Sequence, residues 1–121
     1  MSETITPSTS DVLNRHLNAF AEHDLDGVVS DYSSDAVLFS PIGPLKGPDR
    51  IKPLFQSLIS EFAKPGSSFT LEQRCIEGDH AHIVWTAETA DNSYEFATDT
   101  FVVRDGKIVA QSFAAKVKPK G

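Results

Sequence analysis

Four consecutive segments, Phe69–Glu77, Ala81–Ala90, Tyr94–Arg104 and Lys107–Val117, are rich in Val, Ile, Thr and aromatic residues. Only short turn signals part them: Gly78-Asp79, Asp91-Asn92-Ser93 and Asp105-Gly106. Asp-Gly is the strongest of these, because a type I′ turn needs positive φ at both central residues. Long strands joined by such turns pair antiparallel with their sequence neighbours, so the second half predicts a four-stranded meander. Long hairpin strands also twist, and a twisted sheet curls around whatever packs on it and can enclose a cavity.

The first half has a different period. Ser8, Thr9 and Ser10 offer N-cap oxygens for a helix running to about His23, with Val12, Leu13, His16, Leu17 and Phe20 on one stripe. Asp24 can cap a second helix whose buried face is Leu25, Val28, Val29 and Tyr32. Asp35–Ser40 reads as a short strand, stopped by Pro41-Ile42-Gly43-Pro44 and Gly47-Pro48. Ile51, Leu54, Phe55, Leu58, Ile59 and Phe62 mark a third helix, with Pro48 and Pro53 expected near its start. Three helices, one short strand and a meander predict an α+β fold: a cone-shaped, curved antiparallel sheet wrapped around three N-terminal helices. The expectation is one domain over residues 1–121, with residues 1–8 a flexible N-terminus.

Composition narrows the function. With 11 Lys and Arg against 17 Asp and Glu, the net charge of -6 argues against a nucleic-acid partner. The only clustered bases, Lys116, Lys118 and Lys120, read as a solvated end. Cys75 is the single cysteine, so no internal disulfide forms. Neither a signal peptide nor an apolar run of about 20 residues is visible, so the expectation is a cytoplasmic protein with no membrane partner. His80-x-His82 has no third metal ligand in sequence reach, so neither a metal site nor a cofactor is expected.

Four stretches in register carry a family resemblance: His16–Gly27, Tyr32–Phe39, Gly47–Ile51 and Phe101–Ile108. Together they resemble ketosteroid isomerases and SnoaL-like proteins, members of the NTF2-like superfamily, whose fold is a cystatin-like α+β roll. The resemblance covers residues 11–115. It implies a small-molecule ligand in an internal pocket, with isomerase, cyclase or hydrolase chemistry, or a non-catalytic domain that keeps the fold. It also implies a homodimer through the outer sheet face, for which Ile76, Val84 and Val102 offer an apolar row. Ketosteroid isomerases use an Asp base with a Tyr and a protonated Asp as oxyanion hole. The resemblance carries the oxyanion Asp onto Asp99, the Tyr onto His16 and the base onto Ser40. Serine cannot remove a carbon-bound proton unaided, so steroid isomerisation is not expected.

Asp99 shares a strand face with Ala97, Phe101 and Val103. Either that face is the pocket face and the carboxyl is paired or protonated, or it is the solvent face. His16 is either a core histidine bonded to a backbone carbonyl or the polar partner of Asp99 in acid–base work. Strand parity and helix faces add Tyr32, Phe39, Phe55, Trp85, Phe101 and Phe113 as ligand-contact candidates, each also open to a plain core role. Gln111, polar in an apolar row, wants a partner. Cys75 has no nearby cation to activate it.

Overall fold

In the computed structural model residues 6–121 are described. The expected N-terminal flexibility of residues 1–5 lies outside them, while Thr6 and Pro7 pack against Gly106. Ser8 closes a capping box on α1 (Thr9–Ala21): its hydroxyl accepts from Asp11 N at 3.0 Å, and Asp11 Oδ2 accepts from Ser8 N at 3.2 Å. The helix ends before His23, which turns into the left-handed region at φ 59°. Asp24 then caps α2 (Leu25–Ser30) through Gly27 N at 3.0 Å.

Two sequence expectations change at this point. Tyr32 does not end α2; it opens β1 (Tyr32–Ser40), because its backbone pairs in parallel with Ile108. The Pro41–Pro44 stretch does not leave the sheet either. It turns the chain into a short strand, β2 (Gly43–Lys46), antiparallel to β1. Pro carries no N–H, so Pro44 is tolerated only on an edge, and β2 is an edge strand.

Helix α3 (Pro48–Phe62) starts on Pro48, where the missing N–H is no loss, but Pro53 lies in its second turn. The remaining strands are β3 (Ser68–Glu77), β4 (His80–Glu88), β5 (Asn92–Arg104) and β6 (Lys107–Pro119). They form the expected meander. Asp105 and Gly106 take φ 52° and 74° at the β5–β6 turn, as a type I′ geometry demands. The full order is β2-β1-β6-β5-β4-β3, so the sheet has six strands and one parallel junction, β1 against β6.

Register shifts at Leu71/Gln73, Trp85/Ala87, Tyr94/Phe96 and Val102/Val103 bend the sheet. One face packs on the helices, with Val12, Leu38, Ile51, Ile83 and Ile108 at the centre of the core. The β3–β4 turn also breaks the expected outer row. Ile76 pairs with buried Ala81 and so stands on the inner face, while Val84 and Val102 stand on the outer one. Among the described residues no helix is long and apolar enough to cross a membrane.

Candidate active site

Helix α1 buries Val12, Leu13, His16 and Ala19, which aims the His16 ring into the cone. Rings pack edge-on around it: Tyr32, Phe55 and Phe101 have centroids 5.4, 5.7 and 5.7 Å away. On β5 the inner row is Ala97, Asp99, Phe101 and Val103, all buried, and Phe96 behind it is 54% exposed. Asp99 is therefore an inner-face carboxyl, 7% exposed.

Both Asp99 oxygens meet donors. Trp85 Nε1 donates to Oδ2 at 2.8 Å and Gln111 Nε2 donates to Oδ1 at 2.9 Å. Register makes this possible, because Asp99 sits opposite Ile83 on one side and Phe113 on the other, one inner position from Trp85 and from Gln111. Burial pushes the Asp99 carboxyl up to about 7, against the opposing pull of the two hydrogen bonds. Gln111 takes a hydrogen bond on Oε1 from the Tyr32 hydroxyl, which also lies 3.3 Å from His16 Nε2. Burial, then the charges of Asp99 and Asp31, hold the Tyr32 hydroxyl well above the ordinary tyrosine range, so it remains protonated.

His16 and Asp99 thus line one cavity and are joined through Tyr32 and Gln111 rather than directly. Phe55, Trp85, Phe101, Gln111 and Phe113 line the same cavity. Trp85 and Phe113 stack with planes 1° apart. Tyr32 stands one layer behind the wall. Two candidates lie elsewhere. Phe39 points outward, 55% exposed, because the inward row of β1 is Ala36 and Leu38; Leu38 fills the place expected for it. Ser40 closes the β1–β2 turn, with its hydroxyl donating to Gly43 O at 2.8 Å.

The sequence reading missed Asp31 and Arg15. Asp31 is fully buried at the α2–β1 junction; Arg15 Nε donates to its Oδ1 at 2.6 Å, and His16 Nδ1 lies 3.1 Å from Oδ2. Burial opposes ionisation of Asp31, but the hydrogen bonds from His16 and Arg15 outweigh it and hold the carboxyl below its ordinary range. The available signal was an acid between the end of α2 and the start of β1, which looks like any residue at a helix end.

The inner space is about 60 Å³, where one water needs roughly 10–15 Å³. A vestibule of about 420 Å³ adjoins it between the end of α1 and the start of β3, with Leu17, Phe20, Phe62 and Phe69 common to both. No three His, Cys, Asp or Glu side chains among the described residues converge as metal ligands. His82 instead meets Thr100 Oγ1 at 2.8 Å on the outer face.

None of the curated proteins matches this chain. Solved structures do match in fold. An NTF2-like protein of unknown function from Mesorhizobium loti is 24% identical, with TM-score 0.76, covering 96% of this chain and 97% of its own. A Sinorhizobium meliloti protein provisionally assigned as a polyketide cyclase is 20% identical, with TM-score 0.67 over 86% and 94%. The epoxide hydrolase/cyclase-like enzyme SalBIII, of pyran ring formation in the polyether salinomycin, is 15% identical, with TM-score 0.77 over 93% and 95%. At these identities the likeness is one of fold. The family model for the SnoaL-like domain matches residues 13–111, most of the chain. With the helix-filled, curved sheet already described, the protein belongs to the SnoaL-like domain family of the NTF2-like fold.

Proposed function

We propose that this chain admits a small, mostly apolar molecule through the vestibule and carries out acid–base chemistry at one of its oxygens, with Asp99 as proton donor and acceptor and without a cofactor. One observation carries the reading: both protein partners of Asp99 are donors, and its carboxyl is pushed up to about 7. While Gln111 keeps its amide N–H toward Asp99, a proton on that carboxyl finds no acceptor in Trp85 or Gln111 and is offered to the cavity. A ligand oxygen placed there would receive it, and the carboxylate would later take a proton back. The fold relatives include a cyclase-assigned and an epoxide hydrolase/cyclase-like protein, which fits chemistry that begins by protonating an oxygen.

Trp85, the only tryptophan, touches Asp99 and reports on the site. Titrating 2-naphthol, a planar apolar molecule with one hydroxyl, should quench its emission saturably, and Asp99→Asn should weaken binding about tenfold. No change in emission up to the solubility limit would remove the pocket reading. Opening of styrene oxide by the wild type but not by Asp99→Asn would support the acid chemistry. The small inner space and the commitment of Ser40 to a turn favour a second reading, a ligand-binding domain without catalysis. Binding of 2-naphthol without turnover of the epoxide supports that one.

The same proposal includes a homodimer. Val84, Val102, Ala110 and Ala114 lie together on the outer face among Thr98, Thr100 and Ser112, with His80 and His82 beside them on β4. A C₂ partner on this face would bury on the order of 1,200–2,000 Å² in total. Light scattering at micromolar concentration should give twice 13.2 kDa, and Val84→Glu should halve the mass while leaving Trp85 emission unchanged. A wild-type monomer would end this part of the reading.

A further inference from the structure

Asp31 lies outside the cavity, yet an unbroken line of hydrogen bonds leads from it to Asp99. Arg15, 46% exposed, and His16 hold its two oxygens. Beyond His16 the line runs through the Tyr32 hydroxyl, the Gln111 amide and the Asp99 carboxyl. No buried side-chain nitrogen or oxygen among the described residues lacks a partner.

Each bond in this line has a direction, and the directions reverse only together. A tyrosine hydroxyl has one proton to give, and an amide has one donor end and one acceptor end. With Tyr32 donating to Gln111, His16 Nε2 must carry the proton it gives to Tyr32. The Asp31 carboxylate asks for a second proton on Nδ1, so the ring is an imidazolium and Asp99 faces donors alone. In the reverse arrangement Nε2 is bare and Tyr32 turns its proton toward it. Gln111 then turns over and presents its oxygen to Asp99, whose carboxyl must hold a proton to donate. Mixed arrangements set two lone pairs or two protons face to face in a dry interior, where each unmade bond is expensive.

We propose that Asp31 is a positioning residue acting at a distance: by holding His16 as a cation it sets the direction of the Tyr32–Gln111 relay, and so decides whether the shared proton rests on His16 or on Asp99. His16 and Asp99 share one proton, and the orientation of Gln111 records where it sits. Few other charges intervene. Phe55 on α3 and Phe101 on β5 face His16 without charge, and Arg15 on its own helix is engaged by Asp31. Trp85 on β4 and Gln111 on β6 face Asp99, and neither ionises. Burial of Asp99 brings its carboxyl into the neutral range, so it competes for the proton that the relay carries. This inference deepens the proposed role of Asp99, but the relay itself stands on hydrogen-bond directions.

The test uses the free protein. The ring ¹⁵N shifts of His16 and the carboxyl ¹³C shift of Asp99 are followed from about pH 5 to about pH 9. In the wild type both should change in the same two steps, as coupled sites do. Tyr32→Phe cuts the relay, and the steps should separate, with the Asp99 midpoint moving by about one unit. Asp31→Asn should leave His16 with a single ring proton and move the Asp99 midpoint by a similar amount, although residue 31 touches neither Asp99 nor the cavity. A merely structural Asp31 would leave the Asp99 titration unmoved. Independent titration in the wild type, or an unchanged Asp99 midpoint in folded Tyr32→Phe, overturns the proposal. If Asp31→Asn fails to fold, Tyr32→Phe still decides. Failure of 2-naphthol binding would sink the ligand reading and leave this coupling standing, so the two fail separately.

Discussion

Glu61 and Asp99 are both carboxylates enclosed by hydrogen bonds, and their surroundings are opposite in kind. Glu61, on α3, accepts from Thr89 Oγ1 at 2.7 Å and Asn92 Nδ2 at 3.0 Å, and from the Tyr94 hydroxyl on both oxygens. Its partners all belong to the β4–β5 hairpin, where Lys64–Asp91 and Lys120–Glu88 ion pairs add to the clasp. Asp99 has two donors and a mostly apolar cavity beside it. A carboxylate saturated by donors at the rim staples elements together, whereas one with few donors in a dry place keeps a proton to exchange. The number of donors, and the space left beside them, separates the two surroundings.

The largest expected effect sharpens the Asp99 half of this contrast. Its carboxyl stands at about 7 in the fold against an ordinary 3.8. The folded state therefore keeps a proton that the unfolded chain releases, and stability falls as pH rises from about 4 to about 7. At 1.36 kcal/mol per unit the loss is on the order of 4 kcal/mol. Asn at position 99 would give its amide to the Gln111 oxygen and accept from Trp85, satisfying the reversed relay without charge. Urea unfolding should find Asp99→Asn close to the wild type near pH 4 and several kcal/mol more stable at pH 8. Parallel stability–pH curves would show that Asp99 is not the poised group.

A middle-sized effect should break the other half. Glu61→Ala takes the acceptor from the buried Tyr94 ring's hydroxyl and from Asn92 Nδ2, while the Thr89 hydroxyl keeps Asn92 O at 3.2 Å. A loss of about 1–3 kcal/mol follows, with 2-naphthol binding preserved. Burial, then the hydrogen bond and charge of Glu61, hold Tyr94 above the ordinary tyrosine range. Its ultraviolet titration should therefore move down in the variant. Lost 2-naphthol binding in a folded Glu61→Ala would mean that the clasp is part of the site.

Much of this was legible in the chain, and the failures have physical causes. The meander and α3 follow from period and turn chemistry, and the inward row of β5 from simple alternation between Ala97 and Val103. The face of Ile76 failed because the turn at Gly78-Asp79 pairs it with inward Ala81, and past the shift at Leu71/Gln73 Leu71 and Phe69 come to the inner face as well. Phe39 failed because β1 takes its register from β6, with Leu38 opposite Gln111, a long-range pairing that no local pattern encodes. β2 hid behind two prolines that an edge strand can accept. Asp31 was invisible because its role depends on side chains from α1, far away in sequence.

The smallest expected effect concerns Ser40, the position that the family resemblance assigns to the catalytic base. Its hydroxyl donates to Gly43 O at 2.8 Å and accepts from Ile42 N at 3.3 Å, so it fastens the turn between β1 and β2. It is neither among the residues lining the cavity nor part of the relay to Asp99. Ser40→Ala removes two hydrogen bonds at a partly exposed turn, which water replaces in part, and should cost about 0.5–1 kcal/mol. The 2-naphthol affinity and the Asp99 midpoint should not move. Ser40→Asp is the stricter trial, since it restores the residue type that ketosteroid isomerases use there. If proximity to the ligand decides function, this carboxylate, held by the turn, should confer no steroid isomerisation. Turnover in Ser40→Asp would place the end of β1 within reach of the substrate and move the reacting centre from the middle of β5 toward the β1–β2 turn.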